Sequence, residues 1–340
     1  MRHEQKFVLG LAAGIGTALV ARRLARARHA INFDGRVVVI TGGSRGLGLV
    51  MARMFVDEGA RVVLLARDLG ELARAGDDLE SRGGEVMTLR CDVRRRADVR
   101  AAIDQVVERW HAVDILINNA GVIQVGPLEH MEHEDFENAM ATHFWGPLHL
   151  ILEVAPIMRH RGFGRIINIS SIGGKMAVPH LAPYCASKFA LVGLSDAVRA
   201  ELDQFGIRVT TVAPGLMRTG SPVNAQFKGQ HEVEYAWFKT ASSIPGLTIA
   251  AERAARKILD ACRYGDSQLT ITLQARAAAV ANVAAPASVS RALAFVARML
   301  PGPNGSLGNA IKKGKESESA WTPSIVTKLT DRAAVANNQM

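Results

Sequence analysis

The sequence predicts an α/β fold, a doubly wound parallel sheet of seven strands with helices on both faces. Three observations support this prediction. Short runs rich in β-branched residues, such as RVVVI at 36–40 and RVVLLA at 61–66, are typical of buried parallel strands. The segments between such runs have the apolar spacing of helices. A glycine-rich turn, TGGSRGLG at 41–48, joins the first strand to the first helix.

The predicted strands are short apolar runs that recur along the chain. They are residues 36–40, 61–66, 86–90, 114–118, 165–170, 207–213 and 268–272. The predicted helices lie between them, at about 46–58, 69–82, 97–111, 133–160, 182–205 and 249–264. Because strands that alternate with helices form βαβ units, the sheet is expected to be parallel and covered on both faces.

The chain divides into three predicted regions. Residues 1–33 are an apolar and basic N-terminal segment, 34–273 the α/β domain, and 274–340 a C-terminal extension that begins with an alanine-rich helical part. PGPNGSLGN at 301–309 is typical of a linker. The polar tail at 310–340 is predicted to be partly mobile.

The N-terminal segment is a candidate membrane anchor. Its uncharged run at 7–21 has 15 residues, fewer than the roughly 20 of a spanning helix. Gly10, Gly14 and Ala18 place small residues on one face, as in packed membrane helices. The basic block ARRLARAR at 21–28 follows the run, which argues against a cleaved signal peptide. If the run inserts into a membrane, the rest of the chain is expected to lie in the cytoplasm. A helical extension packed on the domain or on a partner is the alternative.

Composition excludes several classes of function. The net charge is +9, with much of the basic excess near the N-terminus, and aromatic residues make up only 5% of the chain. Basic residues are not interleaved with aromatic ones, so nucleic acid is not a predicted partner. Cys91, Cys185 and Cys262 lie far apart, and we expect reduced, buried thiols with no disulfide and no metal site.

The glycine-rich turn is a candidate phosphate site. Gly42, Gly46 and Gly48 are spaced G-x3-G-x-G between a strand and a helix. At such a turn the backbone N–H groups and the helix dipole face an anion. The alternative is an ordinary strand–helix connection, but its position directly after the first strand favours a dinucleotide site.

The end of the second strand indicates which dinucleotide is bound. An acid there would hold the ribose 2′-hydroxyl of NAD, but this chain has Ala66 and then Arg67. Arg45 in the glycine-rich turn is a second cation. Two cations suit a 2′-phosphate, so NADP(H) is predicted over NAD(H). The alternative for Arg67 is a solvated strand end.

Five ordered motifs resemble those of the short-chain dehydrogenase/reductase family in its NADP-preferring form. The resemblance covers about residues 36–273 and implies a Rossmann-type fold and a nicotinamide cofactor. The motifs are TGGSRGLG at 41–48, NNAG at 118–121, ISS at 169–171, YCASK at 184–188 and PGLMRT at 214–219.

The predicted chemistry centres on Tyr184 and Lys188. Their spacing of four places both on one helix face. An ammonium beside a phenol favours the phenolate, so we expect Lys188 to lower the pKa of Tyr184, which then transfers the proton that accompanies hydride transfer. Ser171 is expected to bind the substrate oxygen. The resemblance implies that Lys188 also binds the nicotinamide ribose. A simple helix-surface pair is the alternative.

The resemblance also assigns a set of cofactor-binding residues. It implies that Asp92 and Val93 contact adenine, that 119–121 line the cofactor near its ribose, and that Pro214, Gly215 and Thr219 hold the nicotinamide end. The complete predicted set is Gly42, Ser44, Arg45, Gly46, Leu47, Gly48, Arg67, Asp92, Val93, Asn119, Ala120, Gly121, Tyr184, Lys188, Pro214, Gly215 and Thr219. For the turns alone, an ordinary strand end or loop start is the alternative.

One position departs from the family pattern. In ATHFWG at 141–146, His143 stands where the family usually has asparagine, whose main chain holds a water in a proton relay to the lysine. Because a main-chain role survives a side-chain change, we expect activity to persist. His143 is interpreted as a member or support of the relay at the catalytic centre, or as a packed, hydrogen-bonded histidine.

The substrate is expected to be a small apolar carbonyl or alcohol. Segment 216–247 lacks clear periodicity, and its Phe227, Tyr235, Trp237 and Phe238 either close over the substrate or pack the loop onto the core. Two alternatives stay open: a membrane-associated lipid- or sterol-type dehydrogenase, and a non-catalytic NADP-binding scaffold. The resemblance implies a homo-oligomer formed through the helices at 133–160 and 182–205.

Overall fold

The computed structural model describes residues 26–244, 246–303, 308–319 and 327–340. The apolar run at 7–21 lies outside these ranges. Within them, none of the helices combines the length and the apolar character needed to cross a membrane.

Seven parallel strands form the central sheet, which confirms the predicted fold class. They are β1 (Val37–Thr41), β2 (Arg61–Ala66), β3 (Val86–Arg90), β4 (Ile115–Asn118), β6 (Gly164–Ile169), β7 (Ile207–Pro214) and β11 (Gln268–Ile271). Short two-residue strands lie outside this sheet: β5 (Gln124–Val125), β8 (Met217–Arg218), β9 (Gln226–Phe227), β10 (Ile249–Ala250) and β12 (Lys312–Lys313).

Most helices of the domain follow predicted segments. They are α1 (Gly46–Asp57), α2 (Leu69–Ser81), α3 (Arg96–Trp110), α4 (His133–Met140), α5 (Gly146–Arg161), α6 (Ala182–Leu202), α7 (His231–Ala241) and α8 (Ala251–Tyr264). The C-terminal extension contributes α9 (Leu273–Ala284), α10 (Pro286–Ala297) and α11 (Lys328–Ala336).

The strand order β11-β7-β6-β4-β1-β2-β3 creates a crevice at the centre of the sheet. The chain leaves β1 toward β2 on one side and later returns to β4 on the other. Such a switch point opens a ligand site beyond the carboxyl ends of the strands. The glycine-rich turn after β1 therefore faces this crevice.

Two apolar layers enclose the sheet. Along β1, Val38 and Ile40 pack on the face covered by α1, α2 and α8, whereas Val37 and Val39 pack on the face covered by α3 and α5. Both faces of the strand are apolar because both are buried, which explains the unbroken VVVI run.

The structure interrupts one predicted helix. Instead of a single helix over 133–160, α4 and α5 are joined by a π-helical turn at Ala141–Trp145. Such wide turns insert one extra residue into the helix and occur often at functional sites. The turn consists of ATHFW, so it contains the position that departs from the family pattern.

The loop at 216–247 contains a helix, α7, that its periodicity did not reveal. Two residues on the buried side of this helix are charged and almost fully enclosed, Glu234 and Lys239. Glu234 is hydrogen-bonded to His180 at 2.8 Å, and Lys239 forms an ion pair with Asp331 at 2.9 Å. These buried charges interrupt the apolar stripe from which helices are predicted.

The C-terminal extension has two contrasting parts. The helices α9 and α10 expose Val283 and Phe295, and Ala275 is the buried residue of the pair. Met299, which follows α10, is also exposed. The tail, predicted to be partly mobile, instead contains α11, whose Thr330 and Ala334 are buried against the domain. Specific contacts rather than an apolar stripe fasten residues 327–340, and partial mobility of the tail stays a prediction of the sequence.

Candidate active site

A cavity of about 640 Å³ lies at the carboxyl ends of the central strands. Its volume is within the range of cofactor sites, roughly 300–1,000 Å³. Most of the predicted site residues line it: Gly42, Ser44, Arg45, Gly46, Leu47, Arg67, Asp92, Val93, Asn119, Ala120, Gly121, His143, Tyr184, Lys188 and Thr219. Four do not form its wall: Gly48, Ser171, Pro214 and Gly215.

The glycine-rich turn is held against β4. Asn119 Nδ2 donates hydrogen bonds to the carbonyls of Thr41, at 3.0 Å, and Gly42, at 3.1 Å. A Cβ atom on Gly48 would collide with the Gly42 carbonyl and lie 2.7 Å from Asn119 Nδ2. Gly48 is thus required for the close approach of turn and helix, although it does not face the cavity. The N-terminus of α1, with its backbone N–H groups, faces the cavity, as an anion site requires.

The two predicted cations lie at one end of the cavity. Arg45 forms an ion pair with Glu71, at 2.6 Å, and Ser44 Oγ donates to the same carboxylate at 2.8 Å. Arg67 is exposed at the end of β2. Sequence reasoning missed Glu71, which lies in the first turn of α2, because nothing local relates it to the glycine-rich turn.

Asp92 lies beside these cations. Arg94 Nη2 is 2.6 Å from its Oδ2. Burial opposes ionisation of Asp92, but the hydrogen bonds from Arg94 outweigh it and lower the pKa of the carboxyl. This end of the cavity therefore holds a charged carboxylate among arginines.

Lys188 and Tyr184 share one face of α6 at the opposite end of the cavity. Lys188 Nζ donates to the Ile169 carbonyl at 2.8 Å and lies 5.7 Å from the centre of the Tyr184 ring. The lysine is 4% exposed, and burial lowers its pKa to about 7.

The predicted lowering of the Tyr184 pKa is not found, because burial sets the direction of the shift. Burial raises the pKa of Tyr184 to about 12, and a hydrogen bond with Ser171 opposes that rise only in part. Burial disfavours the charged form of both groups, so it raises the pKa of the Tyr184 phenol and lowers the pKa of the Lys188 ammonium. In this structure Tyr184 is therefore a protonated phenol at neutral pH.

Ser171 follows β6, where the chain turns sharply. Its Oγ accepts from the Gly173 amide at 3.0 Å and interacts with Tyr184. The structure thus brings Ser171, Tyr184 and Lys188 together, although Ser171 is not among the residues that line the cavity.

His143 is fully engaged in structural hydrogen bonds. The Val122 amide donates to its Nε2 at 3.1 Å, and its Nδ1 lies 2.8 Å from Ser187 Oγ. Ser187 Oγ in turn donates to the Tyr184 carbonyl at 2.8 Å. Burial, together with the charge on Lys188, lowers the pKa of the imidazole well below its usual value. The ring is neutral. Its Nε2 connects the π turn with Val122 after β4, and its Nδ1 connects the turn with Ser187 of α6.

Three of the aromatic residues in segment 216–247 form a packed cluster. Phe227 and Tyr235 are fully buried and Phe238 nearly so, together with Cys185 of α6. Tyr184 packs against this cluster. The structure therefore shows the packing role of these aromatic side chains.

Comparisons with known proteins agree with this geometry. The family model described as short chain dehydrogenase matches residues 36–228. A zebrafish (Danio rerio) protein named dehydrogenase/reductase SDR family member 7B is 35% identical over 222 residues, 63% of this chain and 72% of that protein.

Two solved structures share the fold. A short-chain dehydrogenase/reductase from Burkholderia phymatum, in complex with NAD, has a TM-score of 0.68 at 27% identity and covers 75% of this chain and 95% of its own. L-Sorbose reductase from Gluconobacter frateurii, complexed with NADPH and L-sorbose, has a TM-score of 0.64 at 26% identity. The match covers 71% of this chain and 97% of the reductase.

The cofactor class follows from these observations. Among the described residues, no cluster of His, Cys, Asp and Glu is arranged to hold a metal ion. The two solved structures hold NAD and NADPH respectively, and the cavity presents a helix N-terminus to a dinucleotide. Because the matching family model also covers more than half of the chain, the protein belongs to the short-chain dehydrogenase/reductase family and is an NAD(P)-dependent oxidoreductase.

Proposed function

We propose that the protein interconverts a carbonyl group and an alcohol on a small apolar substrate, with NADP(H) as cofactor. One observation carries the proposal. Tyr184, which is hydrogen-bonded to Ser171, and Lys188 lie at one end of a cavity whose other end presents Arg45 and Arg67. Val122, Ile123 and Met217 give the wall an apolar component, which suits an apolar substrate.

The residues of the chain supply the proton and stabilise charge. When bound, the reduced nicotinamide supplies the hydride. Tyr184 donates its phenolic proton to the substrate oxygen, and its pKa of about 12 keeps that proton available at neutral pH. The Lys188 ammonium and the Ser171 hydrogen bond stabilise the phenolate that forms. In alcohol oxidation Tyr184 accepts the proton.

His143 acts here as a positioning residue. It fastens the π turn to α6, which carries Tyr184 and Lys188, so the backbone of the turn stays close to Lys188. A water held by that backbone would return a proton through Lys188, as the resemblance implies.

The test is Tyr184→Phe, assayed by NADPH oxidation with a panel of ketones and aldehydes. Loss of the general acid is expected to reduce turnover about 100-fold to 10,000-fold, with NADPH binding retained. Tyr235→Phe is the matched control, because it removes a hydroxyl from another buried tyrosine that bonds Glu318. An active Tyr184→Phe enzyme, or a wild-type protein that binds NADPH without oxidising it, would contradict the proposal.

Three features support NADP(H) over NAD(H). Arg67 occupies the end of β2, and Asp68, the first acid after it, caps α2 by accepting from the Glu71 amide at 2.8 Å. Arg45 lies beside the same region, although Glu71 neutralises part of its charge. A 2′-phosphate would therefore meet two guanidinium groups.

Titration with NADPH and NADH checks this preference. Arg67→Glu is expected to weaken NADPH binding about tenfold or more and to affect NADH far less, because the lost charge-assisted bond exists only with the phosphate. Glu71→Gln, which removes a carboxylate from beside Arg45, is expected to tighten NADPH binding. Equal affinity of the wild type for both dinucleotides would refute the preference.

Membrane contact and self-association stay predictions of the sequence. The prediction of membrane contact rests on the apolar run at 7–21. The second has some support from Trp145, Leu152 and Phe189, which are exposed on the helices expected to pair. Light scattering of the purified protein would measure its mass in solution.

A further inference from the structure

The tail of the chain is fastened to the loop that follows β7. Gly220 has a φ of +84°, and a Cβ atom there would collide with Ala334 of α11. Thr330 Oγ1 lies 2.7 Å from Ser243 Oγ. Together with the ion pair between Lys239 and Asp331, these contacts fix α11 beside the cavity.

Beyond α11 the chain runs across the glycine-rich turn. The Gly46 amide donates to the Asn337 carbonyl at 2.8 Å. Asn338 Nδ2 donates to the carbonyls of Ser44, at 2.9 Å, and Glu71, at 3.1 Å. The tail thus bonds to the same turn that faces the dinucleotide.

Gln339 then reaches into the cavity. Asn224 Nδ2 donates to both its backbone carbonyl and its Oε1, each at 2.8 Å. This bond fixes the orientation of the amide and leaves its NH₂ group directed at the amide end of α1, where Nε2 lies 2.5 Å from the Cβ position of Gly46. Gln339 is 9% exposed and lines the cavity.

We propose that residues 327–340 are a fixed wall of the dinucleotide site and that Gln339 donates hydrogen bonds to the diphosphate of the cofactor. This inference rests on the proposed function. In the part of the chain that the structure describes, no acceptor binds Gln339 Nε2. An NH₂ group without an acceptor that faces a cavity beside a helix N-terminus is suited to an anion.

Two observations favour a wall over a plug. The cavity of about 640 Å³ persists with the tail in place. The tail accepts a hydrogen bond only from the first backbone amide of α1, that of Gly46. The next two amides, of Leu47 and Gly48, have no acceptor within the helix and stay available to a ligand. The extension also adds positive charge, because Lys313 and Lys315 line the same cavity.

The test measures dinucleotide affinity in the full chain. Gln339→Ala is expected to weaken NADPH binding about tenfold, the effect of one lost hydrogen bond to a charged group, and Gln339→Glu more strongly through repulsion. Adenosine 2′-monophosphate, which lacks the diphosphate, should bind all variants equally. Gln230→Glu is the control, since that glutamine bonds the Gly302 carbonyl outside the cavity wall.

The outcomes separate the two proposals. If the wild type binds NADPH and both Gln339 variants bind it as well, the wall is refuted and the proposed function stands. Tighter binding by Gln339→Ala would show that the tail is a plug. A wild type that binds no dinucleotide would overturn both. Weaker binding of both NADPH and adenosine 2′-monophosphate would indicate a misfolded site and refute the specific contact.

Discussion

The two ends of the cavity use charge in opposite ways. At the catalytic end, Lys188 is buried with a carbonyl as its partner, and burial shifts its pKa and that of Tyr184 toward the neutral forms. At the phosphate end, Arg45 is partly exposed and paired with Glu71, and Arg67 is exposed. In the proposed mechanism, burial tunes proton transfer at one end, whereas accessible charge tunes the affinity for NADP(H) at the other. Substitutions at the catalytic end should alter the turnover rate, and substitutions at the phosphate end should alter the affinity for the cofactor.

The largest effect is expected from Lys188→Met. Turnover should fall at least about 100-fold because the phenolate loses its counter-charge. The midpoint of thermal unfolding should nevertheless rise by about 2 °C or more, because a buried cation without an acid partner is replaced by an apolar side chain of similar length. Calorimetry and steady-state rates measure the two effects.

Lys228→Met is the matched control for the change at Lys188. Lys228 is equally buried, but its Nζ lies 2.7 Å from Asp135. Its removal leaves a buried carboxylate unpaired, which is expected to destabilise the protein by about 3–5 kcal/mol. The two variants should therefore move the unfolding midpoint in opposite directions. A lower midpoint for Lys188→Met would mean that its bond to Ile169 outweighs the cost of burying charge.

The next effect is a pH dependence confined to the catalytic end. With a pKa of about 7, Lys188 loses its charge as the pH rises through neutrality. The kcat/KM for carbonyl reduction, which reports the free enzyme, should therefore fall between about pH 6 and about pH 9. Lys188→Arg keeps its charge over this range and should flatten the profile at a lower rate. A flat wild-type profile would contradict the assignment.

A smaller effect is expected from His143→Asn. The neutral ring transfers no proton in the proposed mechanism, so turnover should fall less than about tenfold. Stability should fall by about 1–3 kcal/mol, because groups that bond the ring lose buried partners. His149→Asn, which removes a ring bonded to the Val93 carbonyl, is the control. An inactive but folded His143→Asn enzyme would assign the imidazole a direct role.

Local patterns predicted the sheet, its helices and most of the cavity wall. The strand RVVLLA and the spacing between Tyr184 and Lys188 need only nearby residues to be understood. The net rise of the Tyr184 pKa was not predicted, because spacing places two side chains on one face without showing how deeply that face is buried. The effect of Lys188 on the phenol stays a prediction. Glu71 and Gln339 were missed because they reach the glycine-rich turn from distant parts of the chain.

The hydrogen bonds of the tail also affect the order in which the protein folds. Arg53 Nη1 donates to Asn337 Oδ1 across 284 positions of sequence. Closing so long a loop has a large entropic cost, which is repaid only after α1 and the loop after β7 are in place. During refolding, the circular dichroism of the sheet and helices is therefore expected to recover before NADPH binding. Affinity for the cofactor becomes a late marker of the native state, separate in time from the collapse of the core.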